Sequence, residues 1–273
     1  MTIRLAATVL AFVLMAASVA RAEAPARVVT VNLCLDQLAL RLAAPGQLVG
    51  VSYLARNPAI SVLADRARDI PTVRATAESI LDLRPDLVVF DATAHANVKR
   101  LVRLAGVPIL ELPWAASLGE AEGLITRMAD ALGRSEQGRD VIAAMRARLH
   151  QLAWTAPPTA TAAVLQANLR TTGKGSLMDE LLGLTGYRNL AADLGISAYG
   201  RFSLEAVLAG QPDVIIFDGA ANANPARATS FIDHPAITTL ARHARVLSVP
   251  IRYSICAGPE NLDAMQKLRE VHP

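Results

Sequence analysis

Two stretches of the chain repeat one another, and that duplication limits the possible fold more than any other feature. Residues 72–91 carry Arg74, Glu78, Leu81, Pro85, Asp86, Phe90 and Asp91. Residues 199–218 carry Arg201, Glu205, Leu208, Pro212, Asp213, Phe217 and Asp218, at a constant offset of 127 residues. Each copy reads as a short helix followed by a strand. Thr76 or Ser203 is a candidate N-cap, and the glutamate two positions on falls in the first turn, where the helix dipole favours negative charge. Pro85 or Pro212 ends the helix, because the residue before a proline is pushed out of the α region. The apolar runs at 87–90 and 214–217 have the character of strands covered on both faces. The expected fold class is therefore α/β, with two similar Rossmann-like lobes, each built on its own parallel sheet.

The first 22 residues read as a targeting signal: Arg4, an apolar stretch at 5–20, then Ala20-Arg21-Ala22 as a small-x-small cleavage site. Cleavage there leaves about 251 residues, more than one typical core. No other apolar run approaches the roughly 20 residues needed to span a bilayer. The expectation is a soluble protein exported to the periplasm. No cysteine stands at the cleavage point, which favours a free protein over a lipid-anchored one. A net charge of +3, from 27 basic and 24 acidic residues without a Lys/Arg run, argues against a nucleic-acid partner.

The remaining pattern alternates strands and helices, as in folds with right-handed crossovers. Strands are expected at 28–31, 48–52 and 107–112, with a loop at 32–35, a helix at 36–43 and another near 97–105. Ser117 with Glu120 forms a capping box, and Gly133 stops the helix that follows. From Ser135, residues Val141, Ile142, Met145, Leu149 and Leu152 fall on one helical face until Pro157-Pro158. Strands at 162–166 and 246–249 and helices at 177–184 and around 237–241 repeat the plan, and a last helix starts near Pro259. The expected organisation is a signal peptide at 1–22, an N-terminal lobe at 23–134, a single long connecting helix at 135–154 and a C-terminal lobe at 155–273, with a ligand cleft between lobes.

In open α/β sheets, ligands bind beyond the carboxyl ends of the strands. The loops there supply the candidate cleft residues: Asn32, Cys34, Tyr53, Arg56, Asp91 and Trp114 on the first lobe, and Arg170, Tyr199, Asp218, Arg252, Tyr253 and Cys256 on the second. Tyr53, Trp114, Tyr199 and Tyr253 in these loops favour a pocket for a large, partly apolar ligand, although any one of them could equally be a lid on the core. The arginines point to an anionic ligand. The cysteines fall in different lobes, where a bridge would tie the lobes together unless their Cα atoms lie within about 7 Å. Small apolar packing is preferred to a disulfide or a thiolate ligand. Only His95 lies in a cleft loop, so a bare metal ion is not expected. Enzyme signatures are missing: no G-x-G-x-x-G follows the first strand, Gly173-Lys174-Gly175 lacks the rest of a phosphate loop, and there is no G-x-S-x-G or H-E-x-x-H. An α/β enzyme is the competing class, and strand-end aspartates such as Asp91 and Asp218 also serve as turn caps.

The opening Arg27-Val28-Val29-Thr30-Val31-Asn32, the run Leu48-Val49-Gly50-Val51-Ser52 and the paired units at 78–89 and 205–216, in this order and spacing, resemble the periplasmic substrate-binding proteins of ABC importers that capture ferric siderophores, haem or cobalamin. The resemblance covers nearly the whole mature chain. It implies passive capture without catalysis or a resident cofactor, by a monomer that hands a metal chelate to a permease dimer with its ATPase. It implies further that Glu78 and Glu205 sit on the outer corners of the lobes and pair with permease arginines. Arg74 and Arg201 either bracket those corners or pair locally. A ferric siderophore or similar iron complex is the first ligand expected, with cobalamin or haem as alternatives; Asp91 and Thr72 stand where the best-known binders carry aromatics.

Overall fold

A computed structural model describes residues 23–218, 235–240 and 242–273; the expected signal segment lies outside them. The first half contains β1 (Val28–Thr30), α1 (Leu33–Leu42), β2 (Leu48–Ser52), β3 (Thr72–Val73), α2 (Ala77–Leu81), β4 (Leu87–Asp91), α3 (Ala96–Leu104) and β5 (Ile109–Leu112). Its five strands are all parallel, in the order β3-β2-β1-β4-β5. Helices α4 (Leu118–Ala131) and α5 (Ser135–Leu152) follow. The second half contains β6 (Ala160–Leu165), β7 (Arg170–Thr171), α6 (Leu177–Gly183), β8 (Tyr187–Asn189), α7 (Leu190–Asp193), β9 (Gly200–Arg201), α8 (Leu204–Gly210), β10 (Val214–Asp218), α9 (Pro235–Leu240), β11 (Arg245–Val249) and α10 (Asn261–Glu270). Its main sheet is parallel, in the order β11-β10-β6-β8.

The duplication holds at the level of backbone and caps. Thr76 accepts a hydrogen bond from the Ser79 N–H and Ser203 one from the Ala206 N–H. Arg84 and Gln211, equivalent positions one residue before each proline, both adopt the left-handed conformation, with φ of 46° and 40°. The aspartate after each proline staples its strand to the start of the lobe. Asp86 accepts from the backbone of Ala26 and Arg27, and Asp213 from that of Thr161. The repeated Pro-Asp is therefore a structural device that pairs β4 with β1 and β10 with β6.

Side-chain alternation divides each sheet in the same way. Leu87 and Val89 on β4, and their duplicates Val214 and Ile216 on β10, point into one continuous apolar core. That core runs through α1, α4, α5, α6 and α10 and includes Leu38, Met128, Met145, Leu181 and Met265. Val88 and Phe90, and likewise Ile215 and Phe217, face outward into separate smaller clusters. Helix α5 packs on α4 on one side and α10 on the other; its 18 residues span about 27 Å at 1.5 Å per residue.

Besides β8 and α7, which the sequence reading does not anticipate, two details differ from it. Helix α1 begins at Leu33 rather than Asp36, because Asn32 is extended and its side chain caps the Cys34 N–H, drawing the expected loop into the first helical turn. The second difference is a break in the duplication. In the first half the short strand β3 joins the edge of the sheet beside β2. Its counterpart β9 instead pairs antiparallel with β7, an added strand on the loop that follows β6.

Asp36 holds the first half together from within. It is fully buried and accepts from the hydroxyls of Thr30 and Ser52 and from the Ser52 backbone, joining α1 to the ends of β1 and β2. Burial raises its pKa from 3.8 to about 6, outweighing the hydrogen bonds that oppose the shift. A folded-state value above the unfolded one means that the folded chain binds the proton more tightly. This contribution to stability is therefore present below about pH 4 and is lost as pH rises through about 6, amounting to about 3 kcal/mol. Asp36→Asn is expected to flatten the pH dependence of urea unfolding between about pH 4 and 6 relative to the wild-type chain; parallel curves for the two proteins would contradict the assignment.

Candidate functional site

The carboxyl ends of β1, β4 and β5 meet the loops that follow β6 and β11, and two depressions connected by Trp114 lie between them. The smaller, about 20 Å³, touches Asn32, Cys34, Leu38, Asp91, Trp114 and Ala257, and has room for roughly one water. The larger, about 200 Å³, is formed by Trp114 with Gln166, Thr172, Ser176, Met178, Tyr199, Ser254 and Ile255. Trp114 belongs to the first half and the other residues lining this depression to the second, so the site spans both. A haem- or cobalamin-sized molecule exceeds this volume, since pockets for even drug-sized ligands run about 300 to 1,000 Å³. Tyr53, Trp114 and Tyr199 are 65%, 47% and 57% exposed.

The structure gives several of the expected cleft residues other partners. Asp91 turns its carboxylate onto the backbone of Thr93 and Ala94 and the Thr93 hydroxyl, capping its own loop. Partial burial works to raise its pKa, but these hydrogen bonds and the Lys99 charge outweigh it and hold the carboxyl below its usual value. Arg56 donates to the carbonyls of Ala67 and Ile70. Arg252 donates to the Pro58 carbonyl and lies over the Tyr253 ring, 5.0 Å from its centroid, while Tyr253 packs against the shared core. Arg170 is exposed at the start of β7. Asp218 ends β10, and its side chain lies outside the described residues. His95 adopts a left-handed conformation at the start of α3.

Cys34 and Cys256 form a disulfide with Cα atoms 5.3 Å apart, which corrects the expectation of unpaired packing cysteines and removes both as thiolate ligands. The cause is the path of the chain after β11. Residues 250–260 leave the second sheet and return across the first half, where Arg252 reaches Pro58 and the buried Glu260 pairs with Arg41 at 3.1 Å. Burial raises the Glu260 pKa against the pull of Arg41. Glu180 on α6 adds a further tie by accepting from the Leu118 N–H at the start of α4.

Gln166, Thr172, Ser176 and Met178 line the larger depression although the sequence reading does not single them out. The only signal for them is position, at the end of β6 and around the N-cap of α6. The Gly173-Lys174-Gly175 segment does not form a phosphate cradle. A Cβ on Gly173 would lie 2.0 Å from the Ile196 carbonyl oxygen, so glycine is needed there for close passage of two backbones. The Gly175 N–H is already bonded to the Asp179 carboxylate.

A family profile described as "Periplasmic binding protein" matches residues 28–250. Among curated proteins, an uncharacterized ABC transporter substrate-binding lipoprotein, YvrC of Bacillus subtilis, is 22% identical over 90% of this chain and 79% of its own. Among solved structures, the periplasmic heme-binding protein RhuT from Roseiflexus sp. RS-1 superposes with a TM-score of 0.72 at 26% identity, covering 89% of this chain and 98% of that one. The vitamin B12 binding protein BtuF of Vibrio cholerae gives 0.69 at 21% identity, with 90% and 96% covered.

The disulfide closes a sequence separation of 222 residues, for which loop-closure entropy gives about 5 kcal/mol of stabilisation as an upper value. Replacing both cysteines by serine is expected to lower the urea midpoint of unfolding by several kcal/mol equivalent, and reduction of the wild-type protein to act in the same direction. Identical midpoints for oxidised, reduced and double-serine protein would contradict a bridge between the halves.

Proposed function

The chain belongs to the periplasmic binding protein family, and from that premise we propose that it captures a metal chelate in the groove around Trp114 and delivers it to an ABC permease dimer and its ATPase. The observation that carries the reading is the shared groove. Trp114 from one half and Tyr199 from the other line one depression, and Tyr53 stands exposed at the end of β2. Aromatic faces presented by two halves suit a flat or bulky complex that is only partly polar. A ferric siderophore or similar iron complex is the leading ligand. Haem and cobalamin are the alternatives, in keeping with what RhuT and BtuF are described as binding.

The delivery role rests on the duplicated glutamates. Glu78 and Glu205 are exposed, each in the first turn of its short helix, α2 or α8. The helix dipole alone accounts for a contribution of about 0.3 to 1 kcal/mol from such a residue. Charge pairs desolvated across an interface couple by about 1.5 to 7 kcal/mol. A glutamate on each half, at equivalent positions of a duplicated unit, gives the permease one handle on each. Replacing both glutamates with alanine is expected to leave ligand affinity intact and to abolish energy-dependent uptake; uptake at the wild-type rate in that variant would sink the docking role.

Ligand identity is read through Trp114. The other tryptophan, Trp154, is stacked on His272 at 4.5 Å and covered by Arg269, and it lines neither depression, so Trp154→Phe provides a background with a single reporter. Titration of that variant with ferric siderophores, haem and cobalamin is expected to quench fluorescence at sub-micromolar concentration for one class. A flat response to all of them would overturn the chelate reading.

A further inference from the structure

We infer that the β7–β9 ribbon is a subsite for an anionic group of the ligand, with Arg170 and Arg201 as its cationic pair and Thr172 as an additional hydrogen-bond donor. This deepens the binding-protein reading and rests on it. The ribbon is where the second half departs from the first. The chain turns back after β6, with Asn168 and Leu169 at φ of 59° and 54°, and the added strand β7 pairs with β9 where the first half keeps β3 in its sheet. Arg170 and Arg201 stand directly opposite each other in the antiparallel register, and both are exposed. Pairing continues beyond the two-residue strands, since the Gly173 N–H donates to the Ala198 carbonyl. Thr172 is thus opposite Tyr199.

Alternation along a strand places residues two apart on one face. Arg170 and Thr172 therefore share a face with Arg201 and Tyr199, and Thr172 and Tyr199 line the larger depression. Like charges directly opposite in a ribbon destabilise it, and this ribbon has only two registered strand pairs in which to absorb that. Among the described residues, the Arg170 guanidinium has no hydrogen bond or ion pair, and Arg201 makes one long contact, 3.5 Å to the Asn168 carbonyl. The Thr172 hydroxyl is buried, with the residue 4% exposed, and has no partner. A buried hydroxyl without a partner carries an uncompensated desolvation cost. An anion between the arginines reverses their repulsion, and an oxygen acceptor reaching into the depression satisfies the hydroxyl. The chemistry that meets both demands is a carboxylate carried on the chelate, for which two guanidinium forks are suited. Of the three arginines singled out in the sequence, Arg56 and Arg252 are engaged with carbonyls. Arg170 remains, and its partner is Arg201.

The test uses the mature protein with four probes: haem and ferric citrate, which carry carboxylates, cyanocobalamin, which has no net charge, and ferrioxamine B, a cationic ferric hydroxamate. The wild-type protein is expected to bind a carboxylate-bearing probe most tightly, with affinity falling about tenfold or more between about 50 and 500 mM salt. Arg170→Gln with Arg201→Gln should lose about tenfold at low salt and most of the salt dependence, while lysine at both positions retains much of each. Thr172→Val, close in shape and still apolar enough to fold, should weaken the same probe several-fold. Unchanged affinity and salt slope in the glutamine and valine variants would overturn the subsite. Tightest binding of cyanocobalamin or ferrioxamine B would also overturn it, leaving the importer reading in place. Failure to bind any of the four overturns both.

Discussion

The arrangement depends on one constraint: the inner faces of the two sheets share a single apolar core. Leu87 and Val89 of β4 and Val214 and Ile216 of β10 do not close separate lobes that merely touch. They belong to one buried cluster with α1, α4, α5, α6 and α10. Separating the halves would expose that core to water at roughly 25 cal/mol per Å² of apolar surface. The chain after β11 then straps the halves together, through the Cys34–Cys256 disulfide, the ion pair of the buried Glu260 with the partly exposed Arg41, and the Arg252–Pro58 contact. Removing Arg41 would leave the buried Glu260 carboxylate without its charge partner, which is destabilising. These ties act in parallel.

The groove is lined from both halves but supported differently on each: Trp114 sits between Leu112 and Ala115 of the shared core, whereas Tyr199 lies between Ile196 and Phe202 of the second half's separate outer cluster. The duplicated glutamates each occupy the first turn of a short helix that its own half anchors through the Pro-Asp staple.

Much of this was legible in the residues. The offset of 127 predicts a twofold plan, and the caps at Thr76 and Ser203, the left-handed turns at Arg84 and Gln211, and the opposed faces of β4 and β10 all follow it. These features are local, set by hydrogen bonds and side-chain alternation within about twenty residues. Asn32 as an N-cap was legible in principle, but reading 32–35 as a loop delayed the start of α1 by three residues. The roles of Arg56 and Arg252 were not legible, because a guanidinium exposed in sequence terms can be consumed by carbonyls from a loop many residues away.

What the sequence alone determined is the repeated α/β unit, its strand and helix order, and the candidate residues at strand ends, because propensity, capping and periodicity act over short range. Tertiary structure decided three things. It joined Cys34 to Cys256 across 222 residues. It merged the two inner sheet faces into one core. It also diverted β9 from the sheet into the ribbon with β7. Each depends on which distant segments are neighbours in space, and a free-energy difference of that kind arises from packing the whole chain, with no signature in any one stretch.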